Sequence, residues 1–257
     1  MAMIRRARAV CAPAPKIRVD AAMASEPFGT DDQFPFLFPA IERFSRADFV
    51  AAPSNASALA LVERWPDWPD RAMRLIGPPG SGKSHLLAIW ADRAGAMRLN
   101  PEELPAVATL AADAPRALAL DDVDRATDET RLFHLLNYVF EHKVFLLMTA
   151  CGAPDPGSVR LPDLLSRLRR APAIAINAPD EALVRAVLEK LFRDRQIAVD
   201  DPALAYAALR LDRSLDAVRA CVDALDREAL ARGRPVTRAL AAEVMARLRH
   251  AGEGGGH

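Results

Sequence analysis

The sequence predicts a two-part α/β protein: a parallel five-stranded sheet flanked by helices, followed by a small all-α lid domain. Three observations point there. Five strand-sized apolar runs alternate with helical patterns between residues 46 and 179. A glycine-rich loop ending in Gly-Lys-Ser stands between the first of these runs and the helix after it. Beyond Pro179 only helical periodicity remains.

The runs are MRLIG at 73–77, AMRLN at 96–100, RALALDD at 116–122, KVFLLMTA at 143–150 and AIAINA at 173–178. Asp180 reads as an N-cap before EALVRAVLEKLF, and Asp201 followed by Pro202 starts the next helix. Two further helices are expected at about 214–231 and 237–249. The expected division is a disordered tail at 1–30, an arm at 31–45, an α/β domain at 46–179, a helical lid at 180–250 and a disordered tail at 251–257.

Of the 257 residues 51% are hydrophobic, enough for one large domain or a core domain with a satellite. Lys and Arg number 34 and Asp and Glu 34, which argues against a protein whose main task is neutralising nucleic-acid phosphates. Cys11, Cys151 and Cys221 form no CxxC pattern, so neither a disulfide framework nor a zinc site is indicated and the chain reads as cytosolic. The longest apolar run, near Val144, is far too short to cross a bilayer. At the N-terminus, arginines precede an apolar patch that prolines cut short. This reads as a tail, or as an over-extended gene start ahead of Met23, rather than as a secretory signal.

GPPGSGKS, made of Gly77, Pro78, Pro79, Gly80, Ser81, Gly82, Lys83 and Ser84, fits G-x-x-x-x-G-K-[ST] and leads into the helical pattern SHLLAIWADRA, and these eight residues with His85 are the candidate nucleotide-binding set. In such a loop backbone N–H groups wrap phosphates, Lys83 reaches the outer ones, Ser84 ligates magnesium, and the helix N-terminus adds its dipole. The expected ligands are ADP or ATP with Mg2+. Asp121 and Asp122 close an apolar run, so Asp121 is the candidate magnesium partner and Asp122 the residue that orients or activates water. Thr149 ends the next run and is a candidate to bind the γ-phosphate or the attacking water. In LPDLLSRLRRAP, Arg167 stands where an arginine can reach a nucleotide on an adjacent protomer. Arg169 and Arg170 read as a solvated face.

Together the phosphate loop, LALDD, Thr149, LPDLLSRL and LDRSLDAVRACVDALDREAL resemble AAA+ ATPases of the DnaA group, and DFVAAPSNASAL at 48–59 resembles the segment that leads into their nucleotide pocket. Within that group the chain is most similar to the Hda-type regulators in their alphaproteobacterial form, over about residues 33–248. A full initiator is not expected: the chain stops after the lid with no helix-turn-helix domain, and only 95–117 separates the loop helix from the acidic strand.

The resemblance implies two partners, the β sliding clamp of DNA polymerase III and ATP-bound DnaA, whose hydrolysis such regulators promote. It implies contact with DNA only through the clamp, with self-association left open. Hda-type proteins dock on the clamp through a peptide of the form Gln-Leu-x-Leu-Pro-Leu, and QFPFLF is similar. Gln33 is aligned, and Phe34, Phe36 and Leu37 or Phe38 are the apolar anchors, held open by Pro35 and Pro39. One departure stands out. Asp216 occupies the position of the family's sensor arginine, with Arg213 and Arg219 one turn to either side. An acid there implies a preference for ADP or slow hydrolysis by the chain itself. The alternative reading is a helicase-loader or transposition-type accessory ATPase that binds single-stranded DNA; a blander one is a stand-alone ATPase with an unrelated partner.

Overall fold

The computed structural model describes residues 44–253, with side chains through 248. The peptide from Gln33 to Phe38 and both predicted terminal tails, apart from 251–253, lie outside the described residues.

Five parallel strands form one sheet: β1 (Ala72–Ile76), β2 (Met97–Leu99), β3 (Ala117–Leu120), β4 (Phe145–Ala150) and β5 (Ala173–Ala175), in the spatial order β2-β3-β4-β1-β5. Parallel neighbours need crossovers. These are α1 (Ala56–Arg64) before β1, then α2 (Lys83–Ala94), α3 (Val107–Asp113), α4 (Glu129–Glu141) and α5 (Pro162–Arg170) between successive strands. The strands are nearly continuous in apolar residues because both faces are covered. Leu118, Leu120, Leu146 and Met148 face α4 and α5, whereas Met73, Leu75, Ala119 and Leu147 face α1 and α2 around the fully buried Trp90.

All five runs become strands; β1 keeps the length of its run, shifted by one residue, and the other four are shorter, for local reasons. Lys143 has φ 54° and belongs to the turn after α4, so β4 cannot begin there. Asp122 has φ 49°, which ends β3 before it. At the β5 edge, the Asn177 N–H turns away to the Ser54 carbonyl at 3.1 Å.

Beyond the sheet lie α6 (Glu181–Asp194), α7 (Asp201–Arg210), α8 (Leu215–Arg232) and α9 (Arg238–Glu253). The first three have side-chain N-caps: Asp180 accepts from the Leu183 N–H at 2.8 Å, Asp200 from Ala203 at 2.7 Å and Ser214 from Ala217 at 3.4 Å. Their apolar faces close on a separate core that includes Leu188, Phe192, Leu204, Val222, Leu225 and Val244. α9 runs through Gly252 to Glu253, three residues into the segment expected to be a tail. No described helix is long and apolar enough to cross a membrane.

Leu146 has no exposed surface in the centre of the sheet, and its truncation leaves a cavity on the α4 face. Leu146→Ala should lower unfolding free energy by about 2–5 kcal/mol in a urea titration of the full chain.

Candidate nucleotide site

Strand order sets the site. β1, β3 and β4 end side by side, and the register pairs Leu75 with Thr149 and Leu120 with Met148, so Asp121 emerges next to Thr149. The loop after β1 then arches over these ends into α2.

Within the loop, Lys83 is almost wholly buried and its Nζ donates to the carbonyls of Gly77 and Pro78, both at 2.9 Å. Gly82 is the N-cap of α2 with φ 96°, a conformation that L side chains rarely adopt. Among the described residues no acceptor takes the N–H groups of Gly82, Lys83 and Ser84. The Ser81 Oγ is buried without a partner. Three N–H groups without an acceptor, a buried hydroxyl, an ammonium and a helix N-terminus fit a phosphate group.

Across from the loop, the carboxylate of Asp121 gathers two hydroxyls. Its Oδ1 accepts from Ser84 Oγ at 3.2 Å and from Thr149 Oγ1 at 2.5 Å. Thr149 also accepts the Asp122 N–H at 2.7 Å and is fully buried. Ser84 and Asp121 are therefore the pair that could hold a magnesium ion. Burial, then the neighbouring Asp121 carboxylate, raise the pKa of Asp122 above the ordinary aspartate value, against the pull of Lys83 and Arg125.

The other sequence candidates divide. His85 follows the loop, but its side chain points away from it: Nε2 meets the Ser45 carbonyl at 3.0 Å, and the ring lies edge-on between Phe44 and Phe49. Burial lowers its pKa. Arg167 is half-buried on α5 and makes no hydrogen bond or ion pair with the loop, Asp121 or Asp122 within this chain. Arg170 lies over the Phe140 ring at 4.4 Å, and Arg169 is exposed. Asp216 is paired with Arg219 at 3.1 Å, and its side chain is largely exposed. Arg213 is exposed.

The start of α8 reaches the loop through residues that sequence reasoning did not single out. The Leu215 N–H donates to the Gly80 carbonyl at 2.7 Å, and a Cβ on Gly80 would stand 2.0 Å from Ser214 Oγ. At Gly82 a Cβ would touch Leu215 Cδ1 at 3.5 Å and Phe49 Cε2 at 3.7 Å. Gly80 thus lets the lid pack directly on the loop backbone, whereas the contacts at Gly82 are of ordinary van der Waals length and glycine is needed there for its φ. Ser214 was legible as an N-cap type, but nothing local tied it to Gly80, which lies far away in sequence.

No protein-family model matches the chain. An uncharacterized protein of Haemophilus influenzae is 27% identical over 174 residues, covering 63% of this chain and 75% of that protein. Among solved structures, domain III of the Thermotoga maritima replication initiation protein DnaA superposes with a TM-score of 0.67 at 18% identity, over 79% of this chain and 95% of that one. The Thermotoga maritima RuvB Holliday junction branch migration motor gives 0.61 at 17% identity, covering 79% and 72%. AMPPCP-bound DnaA from Aquifex aeolicus gives 0.59 at 15%, covering 74% and 66%. At these identities the likeness shows a shared fold. The fold is like that of DnaA domain III, a five-stranded parallel α/β sheet, here followed by C-terminal helices.

Thr149→Val keeps shape but removes the hydroxyl that serves Asp121 and the Asp122 N–H. It should cost about 1–3 kcal/mol in chemical denaturation of the nucleotide-free protein. A variant as stable as the wild type would show that the bridge does not hold the site together.

Proposed function

We propose that this chain is a DnaA-related AAA+ regulator of the Hda type that binds ADP or ATP with Mg2+, tethers to the β sliding clamp, and promotes hydrolysis of ATP bound to DnaA. Initiation of replication is thereby held down. The observation that carries the nucleotide half of this reading is the convergence of Ser84 and Thr149 on Asp121 beside a loop in which, among the described residues, the N–H groups of Gly82, Lys83 and Ser84 have no acceptor.

In this reading the N–H groups of Gly82, Lys83 and Ser84 hold the phosphates, and Lys83 supplies charge against the outer ones. Ser84 and Asp121 hold magnesium, which when bound neutralises phosphate charge. Thr149 orients Asp121, and the raised pKa of Asp122 makes its carboxylate a better proton acceptor for an aligned water. In this reading Asp216 stands at the sensor position, paired with Arg219, which suits a preference for ADP or slow turnover unless Arg213 or Arg219 takes over the sensor role. Arg167, unengaged with its own loop, suits a role on a neighbouring AAA+ protomer, where its fixed fork of donors would meet phosphoryl charge. The clamp-binding half of the reading rests on the sequence QFPFLF, which sets apolar anchors and a proline beside a glutamine.

The test is surface plasmon resonance of the full chain over immobilised β sliding clamp with ADP and Mg2+ present. Wild type should bind, and Gln33→Ala combined with Phe36→Ala should lose at least about tenfold in affinity. Absence of wild-type binding, with retention on single-stranded DNA, would instead favour the loader reading.

A further inference from the structure

His85 sits at the start of α2, yet its ring serves the segment 44–49 rather than the loop. The Ser45 carbonyl can only accept, so the Nε2 that meets it at 3.0 Å carries the proton. The ring is held edge-on by Phe44 and Phe49, each with its centroid 5.2 Å away. The segment itself is a short 3-10 turn tied by Ser45 Oγ donating to Asp48 Oδ2 at 2.6 Å. Two groups of the segment then reach the lid. Asp48 Oδ1 accepts from Lys190 Nζ of α6 at 2.9 Å, and the Arg219 guanidinium of α8 lies over the Phe44 ring at 5.5 Å.

Burial of a histidine in a core would explain the aromatic contacts alone. It does not explain why the same segment spends its carboxylate on a lysine 142 positions away, in a partly buried pair that also engages Asp194. Nor does it explain why Phe49 and Leu215 of the lid both stand over the backbone of Gly82, the N-cap of the phosphate helix, 3.7 and 3.5 Å from where its Cβ would lie. Phe44 also lines, with Ser84 and Asp121, a cavity of about 130 Å³. The segment is therefore a strap with three attachments: α2 through His85, the lid through Lys190 and Arg219, and the loop through Phe49.

We propose that His85 is a positioning residue: by pinning the strap 44–49 across the start of α2, it sets where the lid rests on the phosphate loop and so governs how fast nucleotide leaves. The inference rests on the nucleotide reading above and adds its control.

The test pairs two measurements on the full chain. The first is hydrogen exchange without nucleotide. His85→Ala should raise exchange in the strap and also in α6 around Lys190, and Lys190→Ala should raise it in the strap. His85→Gln, which keeps a donor for Ser45 but loses the ring, should fall between His85→Ala and wild type. The second is release of MANT-ADP. His85→Ala and Lys190→Ala should each speed it about tenfold, and the double variant should stay near tenfold rather than near a hundredfold, because both act through one strap. Exchange that rises only in the strap, or release rates that multiply, would overturn the proposal. Failure of the wild type to bind MANT-ADP would overturn the nucleotide reading, while the exchange comparison still decides whether the strap couples α2 to the lid.

Discussion

Thr149 stands at the end of β4 with its hydroxyl donating to Asp121 and accepting from the Asp122 N–H, and that pair of bonds locks the ends of two neighbouring strands together. Because Asp121 also takes the Ser84 hydroxyl, the same bridge ties the acidic strand to the phosphate helix. A parallel sheet makes this convergence available, since it brings the C-terminal ends of β1, β3 and β4 to one edge. The chemistry expected of the site, phosphate on one side and a carboxylate pair on the other, follows from that edge.

The lid depends on the loop being nearly bare of side chains. Gly80 and Gly82 both have positive φ, so their main use is conformational, but the missing Cβ of Gly80 is also what admits Ser214 and the backbone of Leu215. Closure is thus a contact between backbone and the N-terminal turn of α8, with the Leu215 N–H satisfied by the Gly80 carbonyl. A helix start is a low-cost place for such a bond, since its first N–H groups have no partner within the helix. On the far side, the Asp48–Lys190 pair and the Phe44–Arg219 contact hold the same lid through the strap. Loop, strap and lid meet at Gly82, which makes the start of α2 the mechanical centre of the described structure.

The parts of this arrangement visible in the sequence are those encoded locally. The phosphate loop spans eight consecutive residues, and the strand before it and the helix after it are each a single periodic run, so pattern and position agree. Asp121 was legible for the same reason, as an acid at the end of an apolar run. The strand limits were less so, because a positive φ at Lys143 or Asp122 leaves no mark in an apolar pattern. The tertiary ties were not legible at all. Nothing near Asp48 announces Lys190, and no local pattern announces that Asp216 pairs with Arg219 one turn along. His85 shows the limit most clearly: adjacency to Ser84 suggested a ligand contact, whereas helical geometry turns its ring to the strap.

The measurement that tests the central claim most directly is calorimetric titration of the full chain with ADP, with and without Mg2+, alongside thermal unfolding at the same concentrations. The account predicts one site per chain and stabilisation of about 2.7 kcal/mol at a hundredfold excess over the dissociation constant. It also predicts weaker binding when magnesium is withheld. No heat and no shift in unfolding at millimolar ADP, from protein that unfolds cooperatively, would contradict it.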